Sequence, residues 1–173
     1  MARYISFLIL FILFISCKPQ ESKTHLLNFE RFSLETPKGW EKFIDRGVDS
    51  YVGGIKLDST DTLFFDFGLY SNNLEEYLKV PTDTSAWTIY PPLSMLGKNR
   101  NSKAIFEIID GKPAKIILPI NYGKGVIGIY FDSLKLSGNQ KIKFEISGNN
   151  LKPENEKIVL NVLRTLKFNL TNK

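Results

Sequence analysis

The sequence predicts an α+β fold, a central and mostly antiparallel β-sheet flanked by helices. Three observations carry that expectation. Apolar residues alternate at period two through most of the chain after the first 28 residues, and β-branched and aromatic types dominate them, which is the pattern of half-buried strands. Two segments, 73–79 and 153–166, switch to the 3.6-residue spacing of an amphipathic helix. Short Gly, Asn and Asp clusters, Asp110-Gly111 and Gly138-Asn139 among them, mark turns between strand-like runs.

In 31–35, Phe32 and Leu34 point one way and the charges the other. Pro37-Lys38-Gly39 breaks the run before Trp40. The stretch 51–57 predicts a second strand, with Gly53-Gly54 marking a bulge or a close backbone approach. A third strand runs over 62–70, with Leu63, Phe65, Phe67 and Leu69 on one face and Phe64, Asp66 and Tyr70 on the other. Asn73 is then placed to cap a short helix with Glu75 and Glu76 near its positive end and Leu74, Tyr77 and Leu78 on one side; Pro81 stops it. The segment 81–102 is the least regular in the chain, and connections of this length are often functional.

Strands are expected over 103–109 and 114–120, joined at Asp110-Gly111, the strongest short hairpin signal present. Further strands fit 125–131 and 141–146, turning near Gly138-Asn139. A helix over 153–166 opens on Pro153 with Glu154 and Glu156 beside it, ends near Arg164 and Lys167, and carries the stripe Ile158, Val159, Val162, Leu163 and Leu166 toward a sheet. Residues 167–170 extend into a closing edge strand.

The first 17 residues are of another kind. Arg3 precedes the apolar run 4–15, then come Ser16 and Cys17, the only cysteine of the chain. A charged start, an apolar stretch of this length and a small residue before the cut form an export signal. The segment ending at Cys17 resembles the bacterial lipoprotein signal, which implies a signal peptide over 1–16 and diacylation of Cys17 as the new N-terminus. A membrane-spanning helix needs about 20 apolar residues, more than this run supplies. A secretory signal without acylation is the other alternative, and it leaves a free thiol in an oxidising compartment. On the lipoprotein reading, 17–28 is a lipidated tether and 29–173 a single domain, large enough to bury a core without metal or disulfide. The domain then resides in the cell envelope, in the periplasm or at the cell surface, held to the inner or outer membrane by its lipid.

The net charge is +5, unevenly spread: 17–111 holds 11 basic and 14 acidic residues, 112–173 holds 11 basic and 4 acidic. The strands of one domain mix these charges in space, or they build a basic face for an anionic partner. Nucleic acid is not expected as a partner of an exported lipoprotein.

Motifs with chemistry are few. Gly123 to Gly128 matches GxGxxG, but that pattern binds dinucleotides only between a strand and a helix, and Ile129-Tyr130-Phe131 reads as strand. His25, the sole histidine, lies in the expected tether, which excludes Ser-His-Asp and Cys-His sets and a histidine metal cage. No metal or cofactor site is expected. Asp58 and Asp61 lack the EF-hand glycine and terminal glutamate and read as a solvated hairpin loop. Asp66 lies among apolar neighbours, where a carboxylate is costly unless paired, and with Tyr51 and Tyr70 it forms a candidate polar sheet site. Trp40, Tyr51, Tyr70, Trp87 and Tyr90 either line a stacking cleft or fill the core. Trp87 and Tyr90 beside Lys98 and Arg100 combine the residue types that dominate interface energetics, and form the candidate binding surface.

The segments FSLETPKGWEKF, GVDSYVGGI and LFFDFGLYS, with the Pro37-Lys38-Gly39-Trp40 turn and the closing helix leading into RTLKF, are similar to the PsbP-like α/β fold. That resemblance implies an α/β/α sandwich and a binding or assembly role without catalysis; it transfers no ligand residue. The expected function is a non-enzymatic binding or assembly module for another envelope component. Two alternatives stand beside it: a glycan or small-molecule module using the segment around Trp87 and Tyr90, and a small hydrolase or lyase using Asp66.

Overall fold

A computed structural model describes residues 24–78 and 101–170 of the chain. Ten strands and one α-helix are found among them: β1 (Thr24–Asn28), β2 (Phe32–Pro37), β3 (Glu41–Ile44), β4 (Tyr51–Lys56), β5 (Thr62–Gly68), β6 (Ser102–Ile109), β7 (Lys112–Pro119), β8 (Val126–Ser137), β9 (Gln140–Asn149), α1 (Pro153–Leu163) and β10 (Lys167–Phe168). The strands form two sheets, ordered β1-β2-β10 and β3-β4-β5-β9-β8-β7-β6, and every strand pair is antiparallel.

The architecture is therefore sheet-dominated, not the helix-flanked α+β sandwich expected from the sequence and implied by the PsbP-like resemblance. The physical reason lies in the segment 73–79. Its described part forms only a 3-10 turn, Glu75–Tyr77, entered through Leu74 in the left-handed region at φ 58°. Asn72 and Asn73 side chains accept hydrogen bonds from Leu74 N and Glu75 N, offering the backbone local turns in place of a helical start. So short a segment cannot repay the cost of helix nucleation against such competition. One face of the large sheet carries α1 and the small sheet, and the other carries the 3-10 turn.

The inner face of the large sheet is built from cross-strand rows. One row runs Gly53, Phe65, Ile146, Ile129, Ile116, Ile105 across six strands. Phe32 of the small sheet stacks on Phe29 at 4.5 Å and meets Phe65 and Phe144 at 5.0 and 4.8 Å between ring centroids. From the helix, Val159, Val162 and Leu163 are buried in the same core, with Leu166 just beyond its end; Ile158, expected in this stripe, is turned out and 39% exposed. Asn155 and Glu156 take the buried positions at the start of the helix instead.

Turn chemistry follows the sequence closely. Asp110 and Gly111 both have positive φ, 51° and 70°, between the paired Ile109 and Lys112, as a two-residue hairpin with the right-handed strand twist requires. Gly138, at φ 60°, turns β8 into β9. The GxGxxG stretch leads into β8 and no helix follows it. Arg164 at the end of α1 holds Glu107 of β6 through two bonds of 2.9 and 2.6 Å, and Asp110 accepts from Phe168 N at 3.0 Å, so the β6–β7 hairpin is tied to the C-terminal elements.

Two further expectations change. Residues 24–28, placed in the tether, form β1, which pairs with β2 from Thr24↔Pro37 to Asn28↔Ser33 and buries Leu27; His25 thus lies in a strand. Asp58 and Asp61 do form a turn, with Asp58 Oδ1 accepting from Thr60 N and Asp61 N, but the loop is not a solvated tip. Asp61 is buried, and its Oδ2 accepts from Lys152 N and Asn155 Nδ2 at 2.7 and 2.8 Å, fastening the β4–β5 hairpin to the start of α1.

Candidate functional site

The candidate site is the outer face of the large sheet, opposite α1. Because side chains alternate along each strand, cross-strand partners share a face. One outer row reads Phe43, Gly54, Phe64, Ser147, Gly128, Ile117, Ala104 across all seven strands. The next reads Val52, Asp66, Glu145, Tyr130, Lys115, Phe106 across six. In the first row, the Phe43 ring lies over Gly54, where a Cβ would come within 2.5 Å of its Cζ; Phe43 and Phe64 meet edge to face at 6.0 Å.

The second row holds the chemistry. Ser71 Oγ donates to the Asp66 backbone oxygen at 3.0 Å and lies 3.3 Å from Asp66 Oδ1. Glu145, directly opposite Asp66, accepts from Ser147 Oγ. Burial pushes the Glu145 carboxyl up to about 7; the serine bond opposes this, and the Asp66 and Glu76 carboxylates add to it. Tyr130 Oη donates to Asp132 Oδ1 at 3.0 Å, and Lys141 Nζ holds the other Asp132 oxygen at 2.6 Å. Burial, reinforced by the Asp132 bond, raises the Tyr130 phenol well above its ordinary value, while Lys141 and Tyr130 hold Asp132 below the usual carboxylate range. The Lys115 ammonium lies 5.1 Å from the Tyr130 ring centre and 3.1 Å from Glu75 Oε1 of the 3-10 turn. Between this turn and β6–β8 opens a cavity of about 300 Å³, with Phe106, Lys115, Tyr130 and Asp132 in its walls.

The expected grouping of Asp66 with Tyr51 and Tyr70 does not form. Tyr51 pairs with Phe67 and so lies on the inner face, tilted against Phe65 at 5.3 Å, with its Oη accepting from Glu30 N at 3.4 Å. Tyr70 lies past the end of β5 and is exposed. Trp40 is buried in the core. Cys17, Trp87, Tyr90, Lys98 and Arg100 lie outside the described residues. Glu145, Tyr130, Lys115 and Asp132 were missed in the sequence: the first three read as ordinary strand positions and Asp132 lies past the expected end of its strand at 131; the one available signal is that Lys141, Lys143 and Glu145 share a face of β9.

Glu145 makes a pH dependence testable. Between about pH 4.5 and 7 the folded chain keeps a proton on Glu145 that the unfolded chain has released. This contribution is complete below the lower value and is lost as pH rises through the higher one. Glu145→Gln is expected to be more stable than the parent chain near pH 8 by about 1–3 kcal/mol, and to match it near pH 4. Urea melts at the two pH values check this; an equal stability difference at both would remove Glu145 as the titrating group.

No protein-family model matches the chain, and no curated protein matches it.

Proposed function

We propose that this chain is an envelope-anchored lipoprotein whose β domain binds another envelope component through the outer face of the large sheet, without catalysis. The observation that carries the binding reading is the exposure of Phe106 and Ile108, 77% and 70%, side by side on this face of β6, which ends the large sheet. Solvated aromatic and aliphatic groups beside satisfied charges are what an interface offers, since burying them gains free energy and the neighbouring ion pairs need no new partner. The anchoring reading rests on the leader and Cys17.

Catalysis at Asp66 has one supporting feature, the Glu145 carboxyl poised near neutrality across from it. Yet neither carboxylate is among the residues that line the cavity beside Tyr130. The exposed Phe106 and Ile108 therefore support binding better than this carboxyl pair supports catalysis.

Two variants test the proposal. Cys17→Ala is expected to move the chain from the membrane to a soluble fraction or to leave an uncleaved precursor, and mass spectrometry of membrane-bound parent protein should find acyl chains on Cys17. Phe106→Ser with Ile108→Ser should change stability by about 0.5 kcal/mol or less, as exposed positions do, and should lose the crosslinked envelope partner that the parent retains. Equal crosslinking by the double variant moves the interface off this face; turnover that disappears in Asp66→Asn replaces binding with catalysis.

A further inference from the structure

A second recess, of about 380 Å³, lies on the outer face of the large sheet, where β5 and β8 begin and β9 ends. That is within the roughly 300–1,000 Å³ of small-molecule sites. Its floor follows from the strand register. In the outer row Phe64, Ser147, Gly128, Ile117 the two middle positions are small. An added Cβ at Gly128 would come within 2.6 Å of the Ser147 Cβ, so the sheet surface is low over β9 and β8. Large rings border this depression. Phe64 of β5 is 60% exposed on one side, and Tyr77 of the 3-10 turn, packed with Val126 of β8 and Ile117 of β7, lies on the other. Both rings are in the wall of the recess. Only β9 separates β5 from β8, so the two sides are about two strand spacings, roughly 10 Å, apart.

The remaining wall is polar and open to solvent. Asn149 and Asn150 are exposed and Ser147 is half-buried. Asn150, at φ 52°, accepts from Gly125 N at 2.8 Å through Oδ1, which leaves its Nδ2 as a donor. Ser147 Oγ donates to Glu145, which leaves its lone pairs as acceptors. The Asn149 amide has no partner among the described residues. No Lys or Arg lines the recess among the described residues, and its one carboxylate, Asp61, has both oxygens engaged: Oδ1 by Thr60 Oγ1, Oδ2 by Lys152 N and Asn155 Nδ2. An anion therefore finds no counter-charge here, and a purely apolar ligand would leave amide groups without water or a partner.

We propose that this recess binds a neutral pyranoside with equatorial hydroxyls, a glucose-type sugar unit. Such a ring carries axial C–H groups on both flat faces, for Phe64 and Tyr77 to cover. Its edge carries hydroxyls that donate and accept at once, matching Ser147, Asn149 and Asn150. Neither Phe106 nor Ile108 is in the wall, so this is a second site on the outer face and does not rest on the interface proposed there.

The test is a titration of the full-length chain in a detergent without a sugar headgroup, followed by NMR of the Val126 and Leu151 methyl groups, both in the wall. The probes are methyl β-D-glucoside, methyl β-D-glucuronide, which puts a carboxylate on the same ring, and mannitol, which has hydroxyls but no ring. The glucoside is expected to saturate these shifts at tens of millimolar and to bind at least about fivefold more tightly than either other probe. Phe64→Leu, which keeps an apolar side chain but removes the aromatic face, should weaken the glucoside about fivefold, and Asn149→Ala about threefold. Phe106→Ser with Ile108→Ser should bind it as the parent does, so that failure of the interface and failure of this site are read apart. Should Phe64→Leu fail to fold, the comparison of probes on the parent chain decides. Absence of saturation with the glucoside overturns the proposal, as does mannitol or the glucuronide binding as tightly. So does parental affinity in folded Phe64→Leu or Asn149→Ala, or loss of the glucoside in the Phe106, Ile108 double variant.

Discussion

Phe144→Ala is expected to cost about 3–5 kcal/mol, the range for truncating a buried aromatic ring. Phe144 is fully buried on β9, the strand inserted between β5 and β8, so it sits where the two halves of the large sheet meet. Its ring contacts Phe32 of the small sheet at 4.8 Å, Phe67 of β5 at 5.9 Å, Phe131 of β8 at 6.2 Å and Phe168 of β10 at 5.4 Å. Removing it opens a void at the junction of both sheets, and neighbours that are themselves large rings cannot collapse to fill it. Because a domain of this kind has only about 5–15 kcal/mol of stability in total, a large part of the population should be unfolded at elevated temperature. Urea denaturation with matched slopes checks the value. A loss under about 1 kcal/mol, nearer that of a typical point change than of a lost core ring, would show that the ring is not the junction described.

Leu163→Ala is expected to cost about 2–5 kcal/mol. Leu163 is fully buried and lies at the last turn of α1, which contacts both β8 and β2. The helix packs on both the large sheet and the small sheet, so truncating Leu163 should also speed exchange of the β10 amides, whose strand begins four residues later. Ile158→Ala is the internal control. It lies on the same helix but 39% exposed, and should cost no more than about 1 kcal/mol. Equal costs at the two positions would mean that the helix is rotated from the orientation described.

The contrast between these two residues shows what the sequence makes legible. A helical stripe wide enough to include Ile158 was evident from spacing alone, but which edge of it is buried depends on the angle at which the helix meets the sheet. Asn155 lies inside because Asp61, almost a hundred positions earlier, is there to receive it. No local pattern announces such a partner. The same holds for the candidate site: the alternation in β9 places Glu145 opposite in face to Phe144, but only the pairing of β9 with β5 brings it beside Asp66, and only the pairing with β8 brings it beside Tyr130.

The sequence by itself determined the strands other than β1 and β3, the two-residue turns at Asp110-Gly111 and at Gly138, the helix that opens on Pro153, and the polar or apolar side of most of those strands. These are set by backbone sterics and by side-chain alternation within a few residues, and both act before any tertiary contact exists. Tertiary structure alone decided that β1 joins the domain, that the strands divide into two sheets, that Tyr51 and Asp66 face opposite ways, and that the described part of 73–79 lies on the outer face as a 3-10 turn. Strand neighbours are chosen by which apolar faces pack together across long loops, and a period of two is the same whichever neighbour wins. Residues 73–75 show the competition directly: the helical spacing was present, but Asn72 and Asn73 bonds to the following amides and the burial of Leu74 against the sheet favoured a turn. Local preference there amounts to a few tenths of a kcal/mol per residue, less than burying one leucine side chain gains.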